Sequence, residues 1–331
     1  MGVEFALQTV QNFFNFKKGM VIRMKKIFID GKAGTTGLRI YERLGGRGDI
    51  EMITLPEAYR KDENARRDAL NRADVAFLCL PDAAAKEAVS MVENPNTVVI
   101  DTSTAHRTNP EFTYGFPELS PMLEEKIKNS KRIAVPGCHA SGFIALVYPL
   151  IEKGVLSPQA KLTCHSVTGY SGGGKKMIEE YEAEGRDFLL GAPRQYGLTQ
   201  EHKHLKEMKA VTGLESAPIF CPIVSDFYSG MVVTVPLFKE DICVSAKELA
   251  SLYRERYCGP IVSYADDISE NGFISGAGLS GKDSMQISVL GNDERILLVA
   301  RYDNLGKGAS GAAVENLNIV LGLDKTQGLA L

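Results

Sequence analysis

What this 331-residue chain lacks narrows its chemistry before any motif is read. It has no excess of one charge: 38 Lys and Arg stand against 41 Asp and Glu, a formal net charge of −3. That balance offers no basic field to a nucleic-acid backbone or an anionic membrane, so neither is expected as a partner. It has no paired-cysteine motif. The six cysteines lie at 79, 138, 164, 221, 243 and 258, without the Cys-x-x-Cys spacing of a zinc knuckle or a dithiol redox pair. No secretory signal is visible and a chain this long needs no disulfide staples, so free thiols in a cytoplasmic protein are expected. Long apolar runs are missing too. The stretch 143–151 falls far short of the roughly 20 residues that cross a bilayer. No internal repeat or low-complexity linker interrupts the chain.

What is present fits an ordinary globular protein. Apolar residues make up 44% and charged residues 24%, and the length favours two domains. The first part alternates strand-like runs (26–30, 51–55, 75–80, 97–101) with helical patterns (38–44, 65–72, 83–92). Short, wholly apolar strands alternating with helices indicate an α/β parallel sheet covered on both faces. From about residue 160 the texture changes. Strands at 162–168 and 231–237, and a hairpin of 286–290 with 295–301 around Gly291-Asn292-Asp293, read as an α+β domain with a largely antiparallel sheet. The apolar-periodic tail 308–321 reads as a helix returning to the first domain. Met24 opens the phrase MKKIFIDG, so residues 1–23 are expected to be an extension, untranslated or accessory. The expected division is 24–139 plus 305–331 for the first domain and 140–304 for the second.

Two segments carry the chemistry. Gly31-Lys32-Ala33-Gly34-Thr35-Thr36-Gly37 follows a strand and opens a helix. Glycines let a backbone approach a pyrophosphate, and a helix N-terminus offers free N–H groups and a favourable dipole. At the end of the second strand, where an NAD enzyme usually places an acid, stand Leu55 and Pro56, with Arg60 and Lys61 shortly after. That favours the 2′-phosphate of NADP, while Glu57 keeps NAD open. The second segment is Val135-Pro136-Gly137-Cys138-His139-Ala140-Ser141-Gly142, where a strand at 132–135 delivers Cys138 to the first turn of a helix. There the dipole and free N–H groups are expected to depress the thiol pKa and supply a nucleophilic thiolate. The other five cysteines are expected to be small buried hydrophobes.

A proton partner is sought among five histidines. His202 and His204 in Glu201-His202-Lys203-His204 would face one side of an extended segment and line one cavity. Zinc is the lesser reading of the pair, because no third ligand stands at metal-like spacing. His139 is expected to point away from the thiol, and His106 and His165 to be structural. Arg107, after the fourth strand, can fork onto a carboxylate or phosphate. The loop Ser171-Gly172-Gly173-Gly174-Lys175-Lys176 suits an oxyanion, and the segment 303–311 can bring N–H groups back to a cofactor.

Together, IDGKAGTTG, DTSTAHR, YGFPEL, PGCHASG, GYSGGGKK, YGLTQEHKH and DNLGKGASGAAVENLN resemble the shorter variety of N-acetyl-gamma-glutamyl-phosphate reductase, over nearly all the chain after Met24. The resemblance implies a Rossmann-like NADP-binding domain joined to a catalytic and dimerisation domain of the semialdehyde dehydrogenase type. It implies reduction of an acyl phosphate, N-acetyl-glutamyl 5-phosphate, to an arginine precursor, in a homo-oligomer (dimer or tetramer). Cys138 then matches the nucleophile and His202 the acid/base. Arg107, Ser171, Gly172, Lys175, Tyr196 and His204 match substrate-binding segments, and Gly31, Ala33, Gly34, Thr35, Thr36, Gly37, Asn304 and Gly308 match cofactor-binding ones. Lys175 stands where longer relatives often carry arginine, and Glu315 where glutamine is common. The rival readings are an aspartate-semialdehyde dehydrogenase, a non-catalytic NADP-binding protein, and a cysteine hydrolase without redox chemistry.

Overall fold

The computed structural model describes residues 24–331; the extension expected at 1–23 lies outside the described residues. The first part runs β1 (Lys25–Asp30), α1 (Thr35–Leu44), β2 (Ile50–Ile53), α2 (Glu63–Arg72), β3 (Val75–Leu78), α3 (Asp82–Ser90), β4 (Val98–Asp101), β5 (Thr113–Tyr114), α4 (Pro121–Lys128) and β6 (Arg132–Ala134). The strands form one parallel sheet ordered β2-β1-β3-β4-β6-β5. β3 and β4 are buried along their whole length because helices cover both faces, which is why their sequences read as unbroken apolar runs. Ala69, Leu70, Ala88 and Met91 pack on one face, and Ile40, Leu44, Ala313 and Leu317 on the other. The order turns back between β1 and β3. At such a switch point the strand ends leave a crevice, where doubly wound sheets take their ligands.

The second part follows as α5 (Cys138–Glu152), β7 (Thr163–Gly169), α6 (Gly174–Glu182), β8 (Arg194–Gln195), α7 (Lys203–Thr212), β9 (Ile219–Ser225), β10 (Met231–Phe238), α8 (Ala246–Arg256), β11 (Val262–Tyr264), β12 (Met285–Gly291) and β13 (Arg295–Tyr302). These strands build a seven-stranded sheet, β11-β12-β13-β10-β7-β9-β8. It is mixed, since β7–β9 and β11–β12 run parallel while the other neighbours are antiparallel.

α5 lies on the inner face of that sheet, with Phe143, Ile144, Leu146 and Val147 in one core with Val233, Val235, Leu298 and Ala300. Buried on nearly every side, it has no polar stripe. Pro149 inside it has no N–H for the Ala145 carbonyl; the Tyr257 hydroxyl donates there instead, at 2.7 Å. The chain then returns through a π-helical turn (Gly306–Ser310) into α9 (Gly311–Val320), which packs on the parallel sheet. The returning helix thus begins later than the sequence pattern suggests, because the wide turn carries Lys307 inward to Glu118 and Glu315. Among the described residues no helix is long and apolar enough to cross a membrane.

Candidate active site

The glycine loop leaves β1 at its carboxyl end. Gly31 takes φ +87°, and a Cβ there would collide with the Cys79 carbonyl of the neighbouring strand, so only glycine fits the turn. α1 then starts at Thr35 with Gly34 as its N-cap, without a side-chain cap and without an acid in its first turn. Its first N–H groups are therefore available to an anion. On one side of the loop lies a cavity of about 700 Å³, lined by Gly31, Ala33, Leu55, Glu57, Arg60 and Lys61. On the other, Gly34, Thr35, Thr36 and Gly37 line a groove that also reaches Thr102, Arg107, Gly172 and Lys203. A third cavity of about 410 Å³ shares Thr36, Thr102, Arg107, Gly172 and Lys203 with that groove and holds Cys138, His139, Tyr196, His202, His204, Asn304 and Gly308. The three form one trough, apolar and flanked by cations at its first end, with a thiol at the other. The bare helix terminus at its middle fits the pyrophosphate of a dinucleotide.

Cys138 is the first residue of α5, after Gly137 as N-cap. Two contacts fix its backbone: its carbonyl accepts from the Tyr302 hydroxyl at 2.5 Å, and Gly308 faces its Cβ. The thiol itself departs from the sequence expectation. Burial pushes its pKa up, against the pull of Arg107, the His139 backbone N–H and Lys203. The helix terminus is real, but desolvation outweighs it. Of the other cysteines Cys164 is buried, Cys79 and Cys221 are half-buried, and Cys243 and Cys258 are exposed, contrary to the expectation of burial for all five.

The histidine pair does reach the cavity, though not from an extended segment. His202 is the N-cap of α7, and its Nδ1 accepts from the His204 N–H at 3.3 Å. Their ring centres lie 4.8 Å apart. His202 is half-buried; burial, then Lys203, lowers its pKa. His204 is buried and held well below its ordinary value by burial and by Arg107, and its Nδ1 has no partner among the described residues. His139 also lines this cavity, which overturns the expectation that it points away. Its Nδ1 meets Ser166 Oγ at 2.7 Å and its Nε2 meets the Tyr196 hydroxyl at 2.7 Å.

Arg107 is already engaged. Its guanidinium donates to the carbonyls of Val135 and Thr102 and to Glu207 at 3.1 Å. Ser171 is buried and its hydroxyl accepts from Asn304, whose own oxygen accepts from the Gly230 N–H. Gly172 lines the cavity; Lys175 is exposed and lines none of the three.

Three further residues escaped the sequence reading. Lys203, between the two histidines, lines groove and cavity and makes no ion pair among the described residues. Buried Glu207 accepts from the Tyr114 hydroxyl and the Gly137 N–H, each at 2.8 Å, as well as from Arg107. Its place three residues after His204, on the same helix face, was an available signal. Tyr302 is inserted into the first turn of α5 and also accepts from the Gly142 N–H; no local pattern marks it.

Comparison with known proteins agrees with this layout. The model of the semialdehyde dehydrogenase NAD-binding domain matches residues 27–130, and that of the semialdehyde dehydrogenase dimerisation domain matches 138–304. An N-acetyl-gamma-glutamyl-phosphate reductase of Trichormus variabilis is 45% identical over 92% of this chain and 99% of its own length. One of Sinorhizobium medicae is 45% identical over 89% of this chain and 98% of its own. Among solved structures, aspartate semialdehyde dehydrogenase II of Vibrio cholerae superposes with a TM-score of 0.70 at 16% identity, covering 90% of this chain and 98% of that one. An aspartate semialdehyde dehydrogenase with NADP from Candida albicans gives 0.65 at 16% identity, covering 90% and 98%. Those structures share the fold; the sequence relatives fix the branch. The chain belongs to the N-acetyl-gamma-glutamyl-phosphate reductases, within the semialdehyde dehydrogenases.

Proposed function

We infer that this chain reduces N-acetyl-glutamyl 5-phosphate to N-acetyl-glutamate 5-semialdehyde and phosphate, using NADPH and a thioester on Cys138. The observation that carries the reading is Cys138 at the first turn of α5, in the cavity that continues the nucleotide trough. Its sulfur attacks the acyl carbon, the carbon–oxygen bond to phosphate breaks, and phosphate departs with its electron pair. A bound NADPH supplies the hydride that reduces the thioester. Collapse of the resulting hemithioacetal returns the sulfur and releases the aldehyde.

Because burial holds the thiol protonated, a base must take its proton. We assign this to His202, which is half-exposed and can exchange protons with water; His204 lines the same cavity but is buried and uncharged. Arg107 and Lys203 flank the sulfur, and their positive charge favours both thiolate and departing phosphate. Arg60 and Lys61 beside the first cavity support NADP over NAD, although Arg60 also pairs with Glu57 at 2.9 Å. We also propose that the chain works as a homo-oligomer, since Ile219, Val232, Pro236 and Leu297 stand half-buried or exposed on the outer face of the seven-stranded sheet, beside the part of that face where Ser288, Val299 and Arg301 are buried.

The test is the reverse reaction, with N-acetyl-glutamate 5-semialdehyde, NADP and phosphate, followed by absorbance. Wild type is expected to turn over with phosphate and Cys138→Ser to lose essentially all activity. Turnover that ignores phosphate, or an active serine variant, refutes the thioester. Faster turnover of aspartate semialdehyde transfers the reading to that rival.

A further inference from the structure

We propose that Tyr196 donates its hydroxyl hydrogen to the oxygen of the acyl carbon held on Cys138, and that Ser166, acting through His139, fixes that direction. This rests on the thioester reading above.

The orientation follows from counting protons along three side chains. Ser166 sits in the middle of β7 with no solvent exposure, and its hydroxyl meets the His139 Nδ1 and no other polar group among the described residues. His139 is itself buried, beside His202 and His204 and next to Lys203 in space, so its ring is neutral; burial, then His202, pushes its pKa to about 3. A neutral imidazole carries one hydrogen. If that hydrogen were on Nδ1, it would point at the serine oxygen and leave the serine hydroxyl hydrogen buried without an acceptor. Leaving a buried donor unmade is costly, whereas a vacant lone pair on oxygen costs less. Ser166 therefore donates to Nδ1, the imidazole hydrogen lies on Nε2, and Nε2–H donates to the Tyr196 oxygen.

Tyr196 then has its own hydrogen left over. The hydroxyl makes no second hydrogen bond among the described residues, and the residue lines the cavity that holds Cys138. Burial, and then the charge of Cys138 whenever its thiol ionises, raise the phenol far above the working range and keep it protonated. Attack on the acyl carbon converts its carbonyl oxygen to an oxyanion, and the hydride step does so again at the thioester. A neutral donor fixed in direction before the reaction stabilises both. Tyr196 is thereby a catalytic residue, and His139 and Ser166 are positioning residues.

Two measurements decide this. In the full chain labelled with 15N-histidine, with Ser166→Ala assigning the resonances of His139, the hydrogen is expected on Nε2 and absent from Nδ1 throughout pH 6–9. A proton on Nδ1 overturns the orientation whatever the enzyme catalyses. In the reverse assay, Tyr196→Phe is expected to lower kcat about 100-fold with little change in KM, as for loss of one oxyanion donor. Ser166→Ala is expected to lower kcat about tenfold, because the freed imidazole divides between tautomers. A raised KM at unchanged kcat means that Tyr196 serves ground-state binding and overturns the acyl-oxygen role. Absence of turnover in wild type overturns the thioester reading and that role together, while the tautomer still reports the orientation.

Discussion

At the scale of single residues, the charges around Cys138 make opposing demands that can be separated. Glu207 raises the thiol pKa while Arg107, on the same carboxylate, lowers it. Replacing Glu207 with Gln keeps an acceptor for Gly137 and Tyr114 but removes the charge. The midpoint for alkylation of Cys138 by iodoacetamide, read by mass spectrometry against pH, is expected above the ordinary thiol value of 9.0 in wild type. It should fall in Glu207→Gln and rise in Arg107→Gln. A midpoint below that value in wild type, or equal shifts in both variants, contradicts the arrangement. His202 has two roles that one substitution divides. Asparagine caps helices well, so His202→Asn should leave the thermal midpoint nearly unchanged while removing the proton carrier. The expected loss in kcat is about 10²–10⁴-fold. A small loss there, with a large one in His204→Asn, moves the acid/base role to the buried ring.

At the scale of elements, the wide turn before α9 shows how a local departure is held in place. Lys307 in the turn donates to Glu118 at 2.7 Å and to Glu315 at 2.5 Å, with Lys307 and Glu315 buried and Glu118 half-buried. Two carboxylates share one ammonium, so one of them keeps a proton. Burial and the neighbouring Glu118 raise Glu315 to about 8, whereas Lys307 keeps Glu118 low. A carboxyl raised on folding stabilises below its unfolded value, here 4.5, and that contribution is lost as pH rises through about 8. Glu315→Gln, neutral at every pH, should therefore match wild type in thermal midpoint near pH 4 and exceed it increasingly as pH rises to about 8, by a few degrees at pH 9. A constant difference across that range removes the shared proton from the account. The sequence told little of this. β3 and β4 are legible because residues buried on both faces must be apolar, but the two-residue strands β5 and β8 are too short to carry any period. The motif at 137–138 shows where the thiol stands, yet its protonation depends on burial by segments distant in sequence. His139 misleads for a related reason. A helix buried on all sides has no outward face, so a residue turned from the thiol in sequence still meets Ser166 and Tyr196.

At the scale of the whole molecule, the trough draws Thr36, Thr102 and Arg107 from the parallel-sheet part and Gly172, Lys203 and His202 from the rest, so neither part makes the site alone. The seven-stranded sheet that supports this site is covered by α5 on one face. Along β10 the residues pointing to α5 (Met231, Val233, Val235) are buried, while Val232, Thr234 and Pro236 on the other side are half-buried. Val232 stands level with Val167 of β7 and Arg301 of β13, near the centre of that outer face, and Leu297 and Ile219 on the same face are exposed. A sheet face meant for water carries polar residues; this one mixes Thr163, His165 and Thr234 with Val167, Ile219, Ile223, Val232 and Leu297, and covering the aliphatic part is worth about 25 cal/mol per Å² removed from water. A second copy presenting the same face satisfies both at once, since a two-fold interface pairs a patch with itself. Sedimentation of wild type at low micromolar concentration is therefore expected to give a multiple of the 36.1 kDa chain. Val232→Asp would bury a carboxylate at that contact beside an Arg301 already taken by Glu270 and Gln286, and should shift the population to single copies. Val232→Thr, of nearly the same shape, should retain the assembly. Cys138 lies beyond the opposite face, so its alkylation at fixed pH should be the same in both variants. A wild type that sediments as one chain, or an aspartate variant of unchanged mass, would mean that this face meets water as it stands.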